Sequence, residues 1–230
     1  MKKKMFVTSD IHGCYDEFYK MLQQIKYDPH EHQLIILGDY TDRGPKSRET
    51  VEFVKKLTQD GAIALKGNHD QMFIDFIEQD DPLFLYNGGG TTLLSYFGEQ
   101  VIYPNKIQEA KEDIIRNYSH HIDFLKSLPF YYETERHIFV HAGIDPHLLN
   151  WKDMPPEDMM WIRDEFIFND HNVGKVVVAG HTPTVNIQRG NPNPWFGKNK
   201  ILIDGGLVFG YQLNCLEINE DETEYKVYTF

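Results

Sequence analysis

Two cysteines are all that the 230 residues contain, and that scarcity removes several protein classes at once. Cys14 and Cys215 are far apart and form no C-x-x-C pair, so neither a disulfide framework nor a thiolate zinc site is expected. Long apolar runs are also missing. No stretch approaches the ~18 apolar residues of a membrane span. The basic start MKKKMFVTSD has an apolar part of about three residues, where a secretion signal needs roughly 7–15. Positive charge is scarce: 23 Lys and Arg face 35 Asp and Glu, a net charge of -12. That argues against general nucleic-acid binding, which needs a basic face to displace counterions. A phosphorylated substrate is still admissible where the site itself is locally positive. The chain reads as a soluble, reduced, cytoplasmic protein with no membrane association and no obligate partner.

What the sequence does have is a core. Its 41% hydrophobic and 13% aromatic content suits a packed globular chain. Short runs recur, most of them β-branched: MFV (5–7), LIIL (34–37), AIAL (62–65), IFV (138–140), VVVA (176–179) and ILI (201–203). Bounded by turn residues, they read as buried strands. Residues 15–26 and 46–58 place apolar side chains three or four apart, with Pro45 at one helix start and Gly61 past its end. A β-α-β-α-β opening of this kind makes a parallel sheet. Further helices are expected over 106–127 and 156–168. The alternation in LNCLEI and EYKVYTF predicts antiparallel strands joined by an acidic turn at 219–222. With no linker or repeat, residues 1–230 are read as a single domain.

The residues just after each run are more informative. MFV leads into Asp10-Ile11-His12-Gly13, LIIL into Gly38-Asp39, AIAL into Gly67-Asn68-His69, IFV into His141-Ala142-Gly143 and VVVA into Gly180-His181. Ligands of open α/β sheets bind at strand carboxyl ends, and glycine there lets backbone crowd a bound group. Asp10, Asp39 and Asn68 fall at equal steps of 29 residues, about one βα repeat. Carboxylate, imidazole and amide oxygen without thiolate select manganese, iron or zinc. Six such groups exceed what one tetrahedral ion takes from a protein, so two divalent ions sharing a ligand are expected. Two ions bring +4 against two ligating carboxylates, which makes a cationic pocket in an acidic protein.

The motifs DIHG, GDYTDRG, GNHD, HAG and GHTP, in this order, closely resemble the signature of the PPP phosphoprotein phosphatases, in the calcineurin-like metallophosphoesterase superfamily. The resemblance runs from residue 10 to about 206. It implies an α/β fold with a central β-sandwich of mixed sheets flanked by helices, in four layers (αββα). It implies that Asp10 and His12 bind one metal, that Asn68, His141 and His181 bind the other, and that Asp39 bridges them, the pair most often manganese, with iron or zinc as alternatives. His69 would be the general acid and Asp42 would orient its imidazole, while Arg43, Arg163 and Asn68 would serve the substrate phosphate. The implied reaction is hydrolysis of phosphoserine or phosphothreonine monoesters by in-line attack of a hydroxide held between the ions. The alternatives are symmetrical hydrolysis of dinucleoside tetraphosphates such as diadenosine tetraphosphate and, remotely, an inactive binding scaffold. The partner would thus be a phosphorylated protein or peptide, or a dinucleoside polyphosphate.

Some residues admit plainer readings. Asp42-Arg43 alone could be a surface ion pair, worth ~0–1 kcal/mol, and Arg163 could snorkel along the apolar surface near Trp161 and Phe166. Asp204 reads as a turn residue or one that supports the ligands rather than as a ligand, and His30, His32, His120, His121, His137, His147 and His171 as solvated or structural. The glycines of YNGGGTTLLSYFG (86–98) fit a substrate-facing cap, an anion-binding helix start or a loop before a core helix. Lys66 could extend a positive rim. Thr41 stands where the family has valine and Asp70 where it has glutamate, and neither is given a role.

Overall fold

Alternation of side chains along short strands sets the architecture. The computed structural model describes residues 3–98 and 104–230. Ten strands lie in it: β1 (Lys4–Thr8), β2 (His32–Ile36), β3 (Ile63–Ala64), β4 (Tyr131–Glu133), β5 (His137–Val140), β6 (Val176–Ala179), β7 (Trp195–Gly197), β8 (Lys200–Leu202), β9 (Asn214–Ile218) and β10 (Tyr225–Thr229). They form two five-stranded sheets, in the orders β10-β9-β1-β2-β3 and β4-β5-β6-β8-β7. In the first, β1, β2 and β3 are parallel, and β9 and β10 run antiparallel. In the second, β5, β6 and β8 are parallel, with β4 and β7 as antiparallel edges.

Met5, Val7, Ile35, Leu37, Leu216 and Ile218 of the first sheet meet Phe139, Val178, Ile201 and Ile203 of the second in a shared core. The alternate residues Phe6, Leu34, Ile36 and Ala64 face outward, under α1 (Tyr15–Gln24), α2 (Ser47–Gln59), α3 (Asn68–Gln79), α4 (Leu83–Tyr86), α5 (Gly89–Phe97) and α6 (Pro104–Ser127). Ile138, Val140, Val177, Ala179 and Leu202 pack on Trp151, Met154, Met159 and Phe166, around α7 (Asp164–Phe168). A last short helix, α8 (Thr184–Ile187), comes after β6. Two mixed sheets flanked by helices give the αββα layering. A one-residue slip in any central strand would swap its two apolar faces, and each fully buried large side chain contributes about 1.5–3 kcal/mol.

The helices over 15–26, 46–58 and 106–127 form close to their expected bounds, although α6 is broken at Tyr118 (φ -131°, ψ 19°). The helix expected over 156–168 does not form. A 3₁₀ turn at Asp158–Met160 and α7 are separated by Arg163 in non-helical geometry. The Met159 carbonyl accepts the N–H of Ala142 instead of continuing a helix. The AIAL strand is cut to two residues, because the Leu65 carbonyl accepts the Tyr40 hydroxyl at 2.7 Å and the Lys66 N–H leaves for Pro129. Three helices lie outside the sequence expectations: α3, whose Met72, Phe73, Phe76 and Ile77 are buried, α4 and α8. Among the described residues no helix is long and apolar enough to cross a membrane.

Candidate active site

The backbone leaving β1, β2, β3, β5 and β6 converges, and the crowding explains the glycines. A Cβ on Gly38 would stand 2.5 Å from the Gly67 nitrogen, so the exits of β2 and β3 touch only because neither residue has a side chain. Asp10, His12, Asp39, Asp42, Arg43 and His181 all adopt positive φ, between 45° and 73°. Such left-handed geometry costs of order 1–3 kcal/mol per non-glycine residue and is held only by surrounding contacts. Here the contacts are mutual: the His12 N–H donates to the Asp39 carbonyl at 2.9 Å, that of His69 to Asp39 Oδ1 at 3.0 Å and that of His181 to Asp10 Oδ2 at 2.9 Å.

Imidazole tautomers are set by the backbone. His12 Nδ1 donates to the Thr41 carbonyl at 2.8 Å and His141 Nδ1 to the Leu37 carbonyl at 2.9 Å. Each neutral ring then presents a bare Nε2. His12 Nε2 and His141 Nε2 are both 3.5 Å from the same oxygen, Asp39 Oδ2. His141 Nε2 also lies 3.0 Å from Asn68 Oδ1 and 3.2 Å from His181 Nδ1. The bare His141 Nε2 thus faces the acceptor oxygens of Asp39 and Asn68 in a buried cluster. Burial lowers the pKa of His12 to about 4 and pushes His141 and His181 down, so these rings stay neutral. Asp39 is raised well above the carboxylate range by burial, then by the charges of Asp10 and Asp70. Neutral imidazoles around crowded carboxylates are a donor set short of positive charge.

A second arrangement lies beside it. His69 Nδ1 donates to Asp42 Oδ2 at 2.7 Å, and both side chains are buried. The Arg43 guanidinium spans the mouth, with Nη1 2.7 Å from His12 Nε2 and Nη2 2.7 Å from His69 Nε2. Burial, with the neighbouring His12 and Arg43, drives the His69 pKa far below its ordinary value. Arg43 rests on the Phe209 ring at 5.3 Å. Arg163 reaches the same rim, its Nη1 donating to the His181 carbonyl at 3.3 Å and Thr182 Oγ1 at 3.2 Å.

A family model for calcineurin-like phosphoesterases matches residues 3–214. The chain belongs to that family. Its relatives include a bis(5'-nucleosyl)-tetraphosphatase PrpE (asymmetrical) of Bacillus velezensis, 28% identical over 94% of this chain and 90% of the relative. They also include serine/threonine-protein phosphatase 1 of Salmonella typhimurium, 26% identical over 94% of this chain and 92% of that one. The fold matches a crystal structure described as a candidate diadenosine tetraphosphatase, with a TM-score of 0.68 and 16% identity over 100% of this chain and 94% of that one.

Membership in the calcineurin-like phosphoesterases implies divalent metals, and the residues present fit them. Two groups of donor atoms, His12/Asp39/His69 and Asp39/His141/His181, each lie within 4.8 Å and share Asp39. The facing lone pairs on Asp39, Asn68 and His141 are the arrangement that a cation relieves. Asp10 is brought to the site but belongs to neither group, its Oδ2 being turned to Ser9 Oγ at 2.5 Å and the His181 N–H.

Three residues that carry the site have no role in the sequence reading. Asp70 accepts the N–H groups of Asp39, Tyr40 and Gly67 at 2.9, 3.0 and 3.0 Å, pinning two strand exits together. Its position three residues after the N-cap of α3 is a capping signal that could have revealed it. Thr92 and Ser47 surround Asp42: the Asp42 N–H lies 2.8 Å from Thr92 Oγ1 and 3.2 Å from Ser47 Oγ. The segment 86–98 is therefore a buttress as well as a rim: the Gly88 carbonyl accepts the Arg43 N–H at 3.2 Å, and α5 buries Thr92, Leu93 and Tyr96. Lys66 does not extend the rim; it is buried, donating to the Lys126 carbonyl at 3.2 Å over Phe130. Asp204 takes the turn role, its Oδ1 accepting the Gly206 N–H at 2.8 Å.

Proposed function

We propose that this chain hydrolyses phosphomonoesters of serine and threonine in phosphorylated proteins or peptides. The observation that carries the reading is the buried Asp42–His69 pair, held at 2.7 Å beside an arginine. An alkoxide leaving group is poor and needs a proton, and an imidazole steered by a carboxylate is suited to deliver one.

Asp10, His12, Asp39, Asn68, His141 and His181 would hold two divalent ions, with Asp39 between them. When bound, the ions supply an activated water and positive charge for the phosphoryl oxygens. Manganese, iron or zinc suits the nitrogen and oxygen donors. Arg43 and Arg163 clamp the phosphate from the rim, and the neutral Asn68 amide adds no repulsion to it. Phosphate on Arg43 offsets the positive charge that helps to keep His69 neutral. His69 then takes up a proton at Nε2 while Nδ1 stays on Asp42, and passes it to the leaving oxygen.

A second reading is hydrolysis of dinucleoside tetraphosphates, favoured by the PrpE-type relatives. The activity named for those relatives is asymmetrical, so ATP and AMP, not two ADP, would be the products to seek. A panel with manganese decides. Phosphoserine and phosphothreonine peptides, a phosphotyrosine peptide and diadenosine tetraphosphate are compared by kcat/KM. A dinucleotide value far above the peptide values replaces the first reading by the second, and no turnover of any of them removes both.

A further inference from the structure

A second group of metal-binding side chains lies away from this site, on the outer helical layer. Glu52 is on α2, and His120 and His121 are consecutive on α6. Neighbouring residues of an unbroken helix do not face each other. Here, two residues after the break in α6 at Tyr118, both rings turn towards one carboxylate oxygen. Glu52 Oε2 stands 2.7 Å from His121 Nε2 and 3.8 Å from His120 Nε2, and the two rings meet edge to face at 4.5 Å.

We propose that Glu52, His120 and His121 form an outer site for one divalent transition-metal ion of the zinc class, tying α2 to α6. Nitrogen and oxygen ligands at about 2.0–2.1 Å in tetrahedral geometry stand about 3.3 Å apart. The observed 2.7 and 3.8 Å lie on either side of that spacing, so small rotations of two exposed side chains complete the triangle. The buried member is already oriented. His121 Nδ1 lies 2.8 Å from the Tyr96 hydroxyl, the outer hydrogen bond that directs a ligating Nε2. The group opens on a groove of about 610 Å³ walled by Tyr15, Phe53 and Tyr118 and flanked by Arg48 and Lys56. The fourth coordination position is thereby left to water or a small anion. Two imidazoles with one carboxylate are suited to zinc, nickel or cobalt and ill-suited to magnesium or calcium.

The test is total bound metal after the manganese-loaded protein is equilibrated with zinc and freed of unbound ions. Manganese and zinc are counted together, so exchange between sites does not matter. The wild-type protein should hold one equivalent more than His120→Ala and Glu52→Gln. Both variants change exposed side chains and should keep the circular dichroism and the manganese-dependent hydrolysis of the parent. Equal totals in the three proteins would reduce the group to an ion pair and overturn the site. The comparison is a difference between proteins, so it reads the same whether or not the central cluster holds two ions.

Discussion

Thr92 Oγ1 lies 2.8 Å from both the backbone nitrogen and Oδ1 of Asp42. One hydroxyl accepts from the main chain and donates to the carboxylate, which leaves Oδ2 free to receive His69 Nδ1. The orientation of the imidazole thus begins on a helix 50 residues downstream of Asp42.

Thr92→Val keeps the shape and removes the hydroxyl. Asp42 can then rotate, and a misplaced acid can lose about 10- to 100-fold in rate. The fall should appear in kcat with KM nearly unchanged, and Thr92→Ser should restore it. A Val variant as fast as the parent in steady-state assays would make Thr92 a packing residue only.

His69→Asn should lower kcat by about 10²–10⁴-fold, the range of a positioned general acid. Its side chain also belongs to the donor group with His12 and Asp39, so metal content must be measured beside the rate. Full manganese occupancy with lost turnover supports proton transfer, whereas a lost ion would make His69 a ligand.

Gly180→Ala would place a Cβ 2.0 Å from Ser9 Oγ and 2.2 Å from Asp10 Oδ2. The collision falls on the hydrogen bonds that hold Asp10 against His181. Overpacking of this sort costs about 1–3 kcal/mol. Urea denaturation should register that loss, and metal affinity should fall with it.

Part of the acid sensitivity should come from the far end of the second sheet, beside that of the neutral histidines of the site. Glu222 Oε2 accepts Thr134 Oγ1 at 2.6 Å, the Arg136 N–H at 3.1 Å and His137 Nδ1 at 3.0 Å. Although burial opposes it, these bonds lower the Glu222 pKa below 4.5, while burial lowers His137 below 6.5. A depressed carboxylate contributes stability above its unfolded pKa and loses it as pH falls through the folded value. A depressed histidine likewise favours the fold at neutral pH and loses that contribution as pH falls below 6.5, because the unfolded state takes up the proton first. Both act in one direction, so Tm should fall on acidification from about pH 6.5, and Glu222→Gln should flatten the lower part of that slope.

Not every element was equally legible. The central strands could be read because their apolar runs are buried on two faces. The helix expected over 156–168 failed because the Met159 carbonyl is taken by the N–H of Ala142, supplied by another part of the chain. Helix α3 escaped because its first residues, Asn68 and His69, are poor helix formers and read as a strand-end loop. Thr92 had no signal of its own, since its partner Asp42 lies 50 residues away. Asp70 showed only a local capping pattern, which says nothing of its bond to Tyr40, 30 residues earlier.

The chemical types and their order come from the sequence alone: short buried runs, each leading into glycine and an Asp, Asn or His, because strand period and turn chemistry are local properties. Three relations come from the closed fold instead. Asp39 Oδ2 stands at equal distance from His12 and His141, Asp10 turns aside to Ser9 and His181, and His120 and His121 share one carboxylate. Each depends on the packing of two sheets and the helices over them, and distances between remote residues are fixed only when those layers meet.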